Sequence, residues 1–231
     1  MINFASDNVT GASPEVLQAL VEANAAPARM PYGNDAHTKI VEEQLGELFE
    51  TDVRAFLVAT GTAANALALA SLSSPWGAIY CHEEAHIHTS ECGAPEFFTG
   101  GAKLVPLSGA QGKLSVEVLQ EAIDRKDDVH RVKPEVLSLT QATEAGTIYR
   151  PDELAALTKV AAEAGLKVHM DGARFANAVA ALGCSPAEIT WKAGVDVLSF
   201  GGAKNGLMFG EAVVFFNQAL GHEFGYIQKQ S

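Results

Sequence analysis

Ser199-Phe200-Gly201-Gly202-Ala203-Lys204-Asn205-Gly206 is the stretch from which the rest of the chain can be read. The residues leading into it, Val195-Asp196-Val197-Leu198-Ser199-Phe200, are β-branched and apolar enough to predict a buried strand, and glycines follow at once. Glycines there let backbone approach a ligand closely, and they leave one lysine at the strand's carboxyl end. In an open α/β sheet, ligands gather at that end. A lysine so placed can act as a Schiff-base nucleophile once desolvation or a neighbouring cation lowers its pKa. For the motif alone, a surface lysine in a turn is the simpler reading. A phosphate loop is ruled out, because the G-x-x-x-x-G-K-[ST] spacing is absent.

The balance is tipped upstream. Leu166-Lys167-Val168-His169-Met170-Asp171-Gly172-Ala173-Arg174 is a second short strand, ending in an acid, a glycine and an arginine. Two helix-like stretches, Phe175 to Leu182 and Pro186 to Lys192, separate it from the next strand. That spacing brings Asp171 and Lys204 to one rim of a parallel sheet. Such a pair suits pyridoxal phosphate: the lysine carries the cofactor, and the acid keeps the pyridine nitrogen protonated so that the ring can take up electrons.

At 231 residues the chain can bury a sizeable core, and one α/β domain is the economical count. A formal net charge of -12 disfavours nucleic acid and anionic membranes as partners. No apolar run is long enough to span a bilayer, and Met1-Ile2-Asn3-Phe4 lacks the charged and apolar regions of a leader. Cys81, Cys92 and Cys184 are odd in number and scattered, which predicts buried free thiols in a reducing compartment, by default the cytoplasm.

Taken in order, Ser13 and Pro14 predict a helix start, with Val16, Leu17, Leu20 and Val21 on one face. A second amphipathic helix is expected with Ile40, Val41, Leu45 and Leu48 inward and Glu42, Glu43 and Glu47 solvated. A strand at 55–58 runs through Ala59-Thr60-Gly61-Thr62 into an Ala/Leu-rich helix. A small-residue loop at a helix N-terminus is a ready anion site, the natural seat for a cofactor phosphate beside a Schiff-base lysine. After a strand at 77–81 comes the densest polar cluster, His82, Glu83, Glu84, His86, His88 and Glu91. Two readings compete. His82 and His86, four apart, could bind metal with nearby carboxylates. Alternatively one imidazole stacks on an aromatic cofactor. H-E-x-x-H is absent and the cluster follows a strand on the ligand rim, so stacking is preferred. Strands at 102–107 and 135–140 follow, joined through a charged surface connection from Arg125 to Arg131, and the second leads into a rim loop carrying Glu144.

Ser6-Asp7-x-Val9-Thr10, Tyr32-Gly33-x-Asp35, Thr60-Gly61-Thr62-x-Ala64-Asn65, Ala85-His86-Ile87, His169-Met170-Asp171-Gly172-Ala173-Arg174 and Gly201-Gly202-Ala203-Lys204-Asn205-Gly206 occur in this order. Together they resemble the low-specificity L-threonine aldolases, within the β-eliminating-lyase family of fold-type-I pyridoxal phosphate enzymes. The resemblance implies an α/β three-layer sandwich with a mostly parallel central sheet. It makes Lys204 the Schiff-base lysine, Asp171 the pyridinium partner, Arg174 the cofactor-side arginine that also serves the substrate, and His86 the stacked imidazole. Gly61 and Thr62 match the phosphate loop, Ser6 matches a serine for the substrate carboxylate, and Tyr32 lies in a stretch that reaches across a dimer interface. Ala203 stands where many such enzymes have a hydroxyl residue, and Glu144 where several relatives have a second histidine. Relatives continue into a small C-terminal domain with a further arginine, so residues 1–217 are expected to be the cofactor-binding domain with its N-terminal arm. Residues 218–231 would begin a truncated C-terminal segment.

The implied reaction is retro-aldol cleavage of a β-hydroxy-α-amino acid to glycine and an aldehyde, with His86 the first choice of base and Glu144 the second. A homodimer or homotetramer with shared sites is implied. The rivals are another fold-type-I lyase or aminotransferase, a metal hydrolase using the 82–91 cluster, and a cofactor-binding chain without turnover.

Overall fold

The computed structural model describes residues 5–9, 11–27, 30–124 and 128–231. Met1 to Phe4, Thr10 and the first part of the Arg125 to Arg131 connection lie outside them. In order come α1 (Pro14–Ala25), α2 (Ala36–Phe49), β1 (Arg54–Val58), α3 (Gly61–Leu72), β2 (Gly77–His82), α4 (His86–Thr89), α5 (Ala94–Phe98) and β3 (Lys103–Leu107). They are followed by α6 (Val116–Ile123), β4 (Lys133–Thr140), α7 (Pro151–Glu163), β5 (Lys167–Gly172), α8 (Phe175–Leu182), β6 (Val197–Gly201), β7 (Glu211–Phe215) and α9 (Phe224–Gln230). The strands form one sheet in the order β1-β7-β6-β5-β4-β2-β3. Only β7 runs against its neighbours, pairing antiparallel with β1 and β6, and the remaining pairs are parallel. The mostly parallel sheet expected from the sequence is therefore the one observed.

Alternation along the central strands sorts side chains to two faces. Leu137, Leu139, Val168, Met170, Leu198 and Val214 join one core with Phe49, Leu119, Leu154 and Phe175. Val136, Val197, Val213 and Phe215 join the other with Leu67, Leu69 and Phe224. Asp171 and His169 differ in parity from Val168 and Met170, so they point to the second face, where α3 lies. This alternation selects which helix can reach the acid.

Local chemistry sets the helix ends. Ser13 accepts from the Val16 N–H at 3.4 Å with Pro14 next, as the sequence predicts. Asp35 caps α2 by accepting from the His37 and Thr38 N–H groups at 2.9 and 3.1 Å. Packing departs from what the apolar faces suggest in α1, and in α2 it corrects the expected inward set. Helix α1 forms, but none of its residues is buried, and Leu17, Leu20 and Val21 face outward. In α2 the buried residues are Leu45 and Phe49, whereas Ile40 and Leu48 are exposed. Glu42, expected to be solvated, accepts from the Ala55 N–H at 3.1 Å and ties the helix to β1.

Cys81 is buried, and burial pushes its thiol up to about 12, which leaves it inert at neutral pH. Cys92 departs from expectation by being exposed. At the other end of the chain, α9 packs back on the sheet, with Phe224 fully buried and its ring 4.7 Å from that of Phe56. Among the described residues, no helix is long and apolar enough to cross a membrane.

Candidate active site

Lys204 sits in a 3-10 turn, Ala203–Asn205, immediately after β6. The turn depends on its glycines. A Cβ on Gly201 would lie 2.6 Å from the Ala173 carbonyl oxygen, and one on Gly202 would lie 2.5 Å from the Gly210 carbonyl oxygen. The Gly202 N–H donates to Glu211 at 2.6 Å and the Asn205 side chain donates to the Gly201 carbonyl at 2.9 Å, which together clamp the loop. Burial pushes the Glu211 carboxyl up, against the hydrogen bonds it accepts from the Gly202 and Ala203 N–H groups. Only 17% of the Lys204 side chain is exposed, so the amine is held at the rim and not splayed into water.

Asp171 ends the adjacent strand, opposite Ser199 of β6. It is buried, and accepts from the Ala173 N–H at 3.0 Å and from Asn65 Nδ2 at 2.9 Å. The same Asn65 nitrogen donates to Glu91 Oε1 at 2.8 Å, and that oxygen also meets His86 Nδ1 at 2.8 Å. Behind Asp171 on its own strand, His169 is enclosed between the hydroxyls of Ser138 and Ser199, each 2.9 Å away, and burial holds it well below the usual histidine value.

His86 opens α4 with 43% of its side chain exposed. Its hydrogen bond to Glu91 raises its pKa. Burial opposes that rise, the charges of Glu91 and Asp171 add to it, and Lys204 acts against it. The imidazole therefore feels both the acid and the amine that sequence reasoning assigned to one rim. Glu144 is drawn to the same place: its Oε1 accepts from the His86 backbone N–H at 2.8 Å and from the Thr140 hydroxyl at 3.3 Å.

Arg174 follows β5 and donates to Asp7 through Nε at 2.5 Å and Nη2 at 3.2 Å. Lys204 Nζ is 3.9 Å from the same Asp7 carboxylate. Burial alone would raise the Asp7 carboxyl, but the Arg174 hydrogen bond and the charges of Lys204 and Arg174 outweigh it and hold the group below its ordinary value. The N-terminal arm thus closes over the rim. Ser6, its neighbour, is exposed, and its hydroxyl accepts from the Asn8 N–H at 3.2 Å.

Thr60 caps α3, accepting from the Ala63 N–H at 3.1 Å, which leaves the N–H groups of Gly61 and Thr62 without intrahelical acceptors. A Cβ on Gly61 would meet nothing within 4 Å, so that approach is open. Tyr32 is not gathered into this cluster. It is 85% exposed, with Lys229 Nζ 4.5 Å from its ring centroid.

His82 is fixed by Gly109 O at 3.1 Å and by the Glu84 N–H, which donates to its Nδ1 at 3.1 Å. Among the described residues no group of three or more histidines, cysteines and carboxylates could hold a metal ion. Sequence reasoning noted Glu91 only as one of a polar run, gave Asn65 only as part of a motif, and missed Asp7 as a site residue. An amide within an Ala/Leu helix was the available signal for Asn65.

The model of the beta-eliminating lyases matches residues 3–230. The chain belongs to the beta-eliminating lyase family. It is 51% identical over 228 residues to a low specificity L-threonine aldolase of Pseudomonas aeruginosa, covering 99% of this chain and 66% of that protein. The chain thus spans just under two thirds of that relative's length. A threonine aldolase structure from Leishmania major superposes with a TM-score of 0.92 at 31% identity, covering 98% of this chain and 66% of that one. An alanine–glyoxylate aminotransferase from Nostoc, at 19% identity and a TM-score of 0.66, shares the fold. The family works with pyridoxal phosphate, and the donor set here fits that group. A buried carboxylate is available for a ring N–H, a shielded amine for an aldehyde, and the N-terminus of α3 for a phosphate. Asn65 Oδ1, Glu91 Oε2 and Glu144 Oε2 are buried with no hydrogen-bond partner among the described residues, so the site has polar capacity left to engage a ligand.

Proposed function

We propose that the chain is the cofactor-binding part of an aldolase that cleaves L-threonine, L-allo-threonine and related β-hydroxy-α-amino acids to glycine and an aldehyde. The observation that carries the reading is the His86–Glu91–Asn65–Asp171 hydrogen-bonded run ending beside the Lys204 turn, in a chain 51% identical to a low specificity L-threonine aldolase. When bound, pyridoxal phosphate supplies an electron sink for the bond that breaks. Lys204 would be the residue that holds it, through an amine shielded from water. Asp171 would accept the hydrogen bond of the ring nitrogen from a buried position, where a carboxylate's field is least screened. The N–H groups of Gly61 and Thr62 and the dipole of α3 would hold the phosphate.

His86 is the base for the substrate hydroxyl. Its Nδ1 is engaged by Glu91, while its Nε2 makes no hydrogen bond among the described residues, on a side chain 43% exposed. Glu144 supports it through the backbone hydrogen bond and keeps one oxygen unengaged. Arg174, once released from Asp7, and Ser6 are suited to a substrate carboxylate. We read residues 1–217 as the cofactor-binding unit and 218–231 as the lead into the segment that longer relatives possess. The exposed Tyr32 fits an assembly of two or four copies that share sites, and unpaired cysteines fit the cytoplasm.

Product analysis of the cofactor-loaded protein tests this. Glycine and an aldehyde released from L-threonine, and lost in Lys204→Ala, are expected; pyruvate or another keto acid would overturn the assignment.

A further inference from the structure

Asn65 is the one polar member among the buried residues of α3, which are otherwise alanines and leucines. An amide in such surroundings is costly unless bonded. Its Nδ2 directs its two hydrogens at two carboxylates, Glu91 Oε1 at 2.8 Å and Asp171 Oδ2 at 2.9 Å. Flipping the amide would aim an oxygen at both, so the orientation is fixed by the acceptors themselves. The Glu91 side chain has no exposed surface, and its Oε1 receives both this N–H and the contact from His86 Nδ1 at 2.8 Å. A carboxylate only accepts, so the shared proton belongs on Nδ1 when the imidazole is neutral.

We propose that Glu91 is a positioning residue: it holds His86 in the Nδ1–H tautomer so that Nε2 carries the lone pair toward the rim, and Asn65 anchors that carboxylate to Asp171. The inference deepens the functional reading, since it takes His86 as the base of the same site. The arrangement parallels the general logic of a base oriented by a buried acceptor. Here the orienting group is also tied through one amide to the carboxylate that meets the ring nitrogen. The charged groups acting on His86 are Glu91 after α4, Asp171 on β5 and Lys204 after β6, while Glu144 accepts from its backbone.

Nitrogen-15 spectra of the His86 side chain in the cofactor-free protein test the tautomer without any substitution. A proton on Nδ1 in the neutral form is expected; a proton on Nε2 overturns the proposal. In Glu91→Gln the His86 titration midpoint is expected to fall, because a neutral amide replaces the charge, and an unchanged midpoint refutes the role. In the cofactor-loaded enzyme, Glu91→Gln is expected to move the rising limb of the pH–kcat profile to lower pH and to lower kcat while KM changes little. A profile that keeps its position would also refute it. If Glu91→Gln does not fold, the spectrum of the parent decides. The first two measurements need no turnover, so a protein that releases no glycine defeats the aldolase reading and leaves the positioning role to stand or fall on the imidazole alone.

Discussion

Gly61 and Gly201 both lie in motifs that sequence reasoning tied to the cofactor, yet the structure assigns them opposite sensitivities to alanine. At Gly201 a methyl group would fall 2.6, 2.7 and 2.8 Å from the O, Cα and C atoms of Ala173. Those are backbone atoms of the turn after β5, in the chain that carries Asp171 and Arg174, and they cannot swing away as a side chain can. Relief requires β6 or the 172–174 backbone to shift by several tenths of an ångström, an overpacking cost of about 2–3 kcal/mol. For a chain of this size each kcal/mol lowers Tm by about 2–4 °C, so Gly201→Ala is expected to unfold roughly 5–10 °C early. The displaced Lys204 turn should also lose cofactor. Gly61→Ala adds a methyl group to open space at the first position of α3. Its stability is expected to hold or to rise by up to about 1 kcal/mol, because alanine favours helix over glycine. Cofactor affinity should nonetheless drop by roughly tenfold, about 1.4 kcal/mol, as the methyl crowds the N–H groups offered to the phosphate. Thermal unfolding followed by circular dichroism, with and without pyridoxal phosphate, reads both. A Gly201→Ala protein with the parental Tm and parental cofactor affinity would show that the close approach of β6 to Ala173 is not what shapes the lysine turn.

Three further outcomes are expected. Asp171→Asn keeps the shape of the buried group but only one acceptor oxygen for its two donors, the Ala173 N–H and Asn65, so the fold should persist at reduced stability while turnover drops by about 10²-fold or more, measured as glycine release; near-parental turnover would contradict the ring-nitrogen assignment. Phe224→Ala should cost about 3–5 kcal/mol, because the ring is fully buried against Phe56 and Phe215 and its loss opens a cavity under β7, and urea unfolding measures it. The raised pKa of His86 means that its charged form contributes stability that is fully present below the unfolded-state value and is lost as pH rises through the folded one. The urea midpoint of the parent should therefore exceed that of His86→Gln by more at pH 6 than at pH 8, and a gap that grows with pH would reverse the argument.

Strand and turn punctuation made Lys204 and Asp171 legible in the sequence, since β-branched runs ending in glycine place charged residues at strand ends by local geometry alone. The helix cap at Ser13 was legible for the same reason, whereas Thr60, read only as part of an anion loop, proved to be the cap of α3. Burial was read less well. Helix α1 has the periodicity of a packed helix yet holds no buried residue, and Ile40 and Leu48 of α2 are exposed. Periodicity reports that a face exists, and not whether anything meets it.

The residues themselves made legible the strands, a lysine and an acid at two strand ends, and a small-residue helix start, because each follows from short-range sterics and hydrogen bonding, while the mostly parallel architecture came from the family resemblance. Tertiary structure alone decided that Asn65 joins Glu91, 26 positions away, to Asp171, 106 positions away, and that Asp7 takes the guanidinium of Arg174. A buried polar atom takes whichever partner packing brings within 3 Å, and that choice depends on strand order and on which face a side chain leaves, neither of which is written in local sequence.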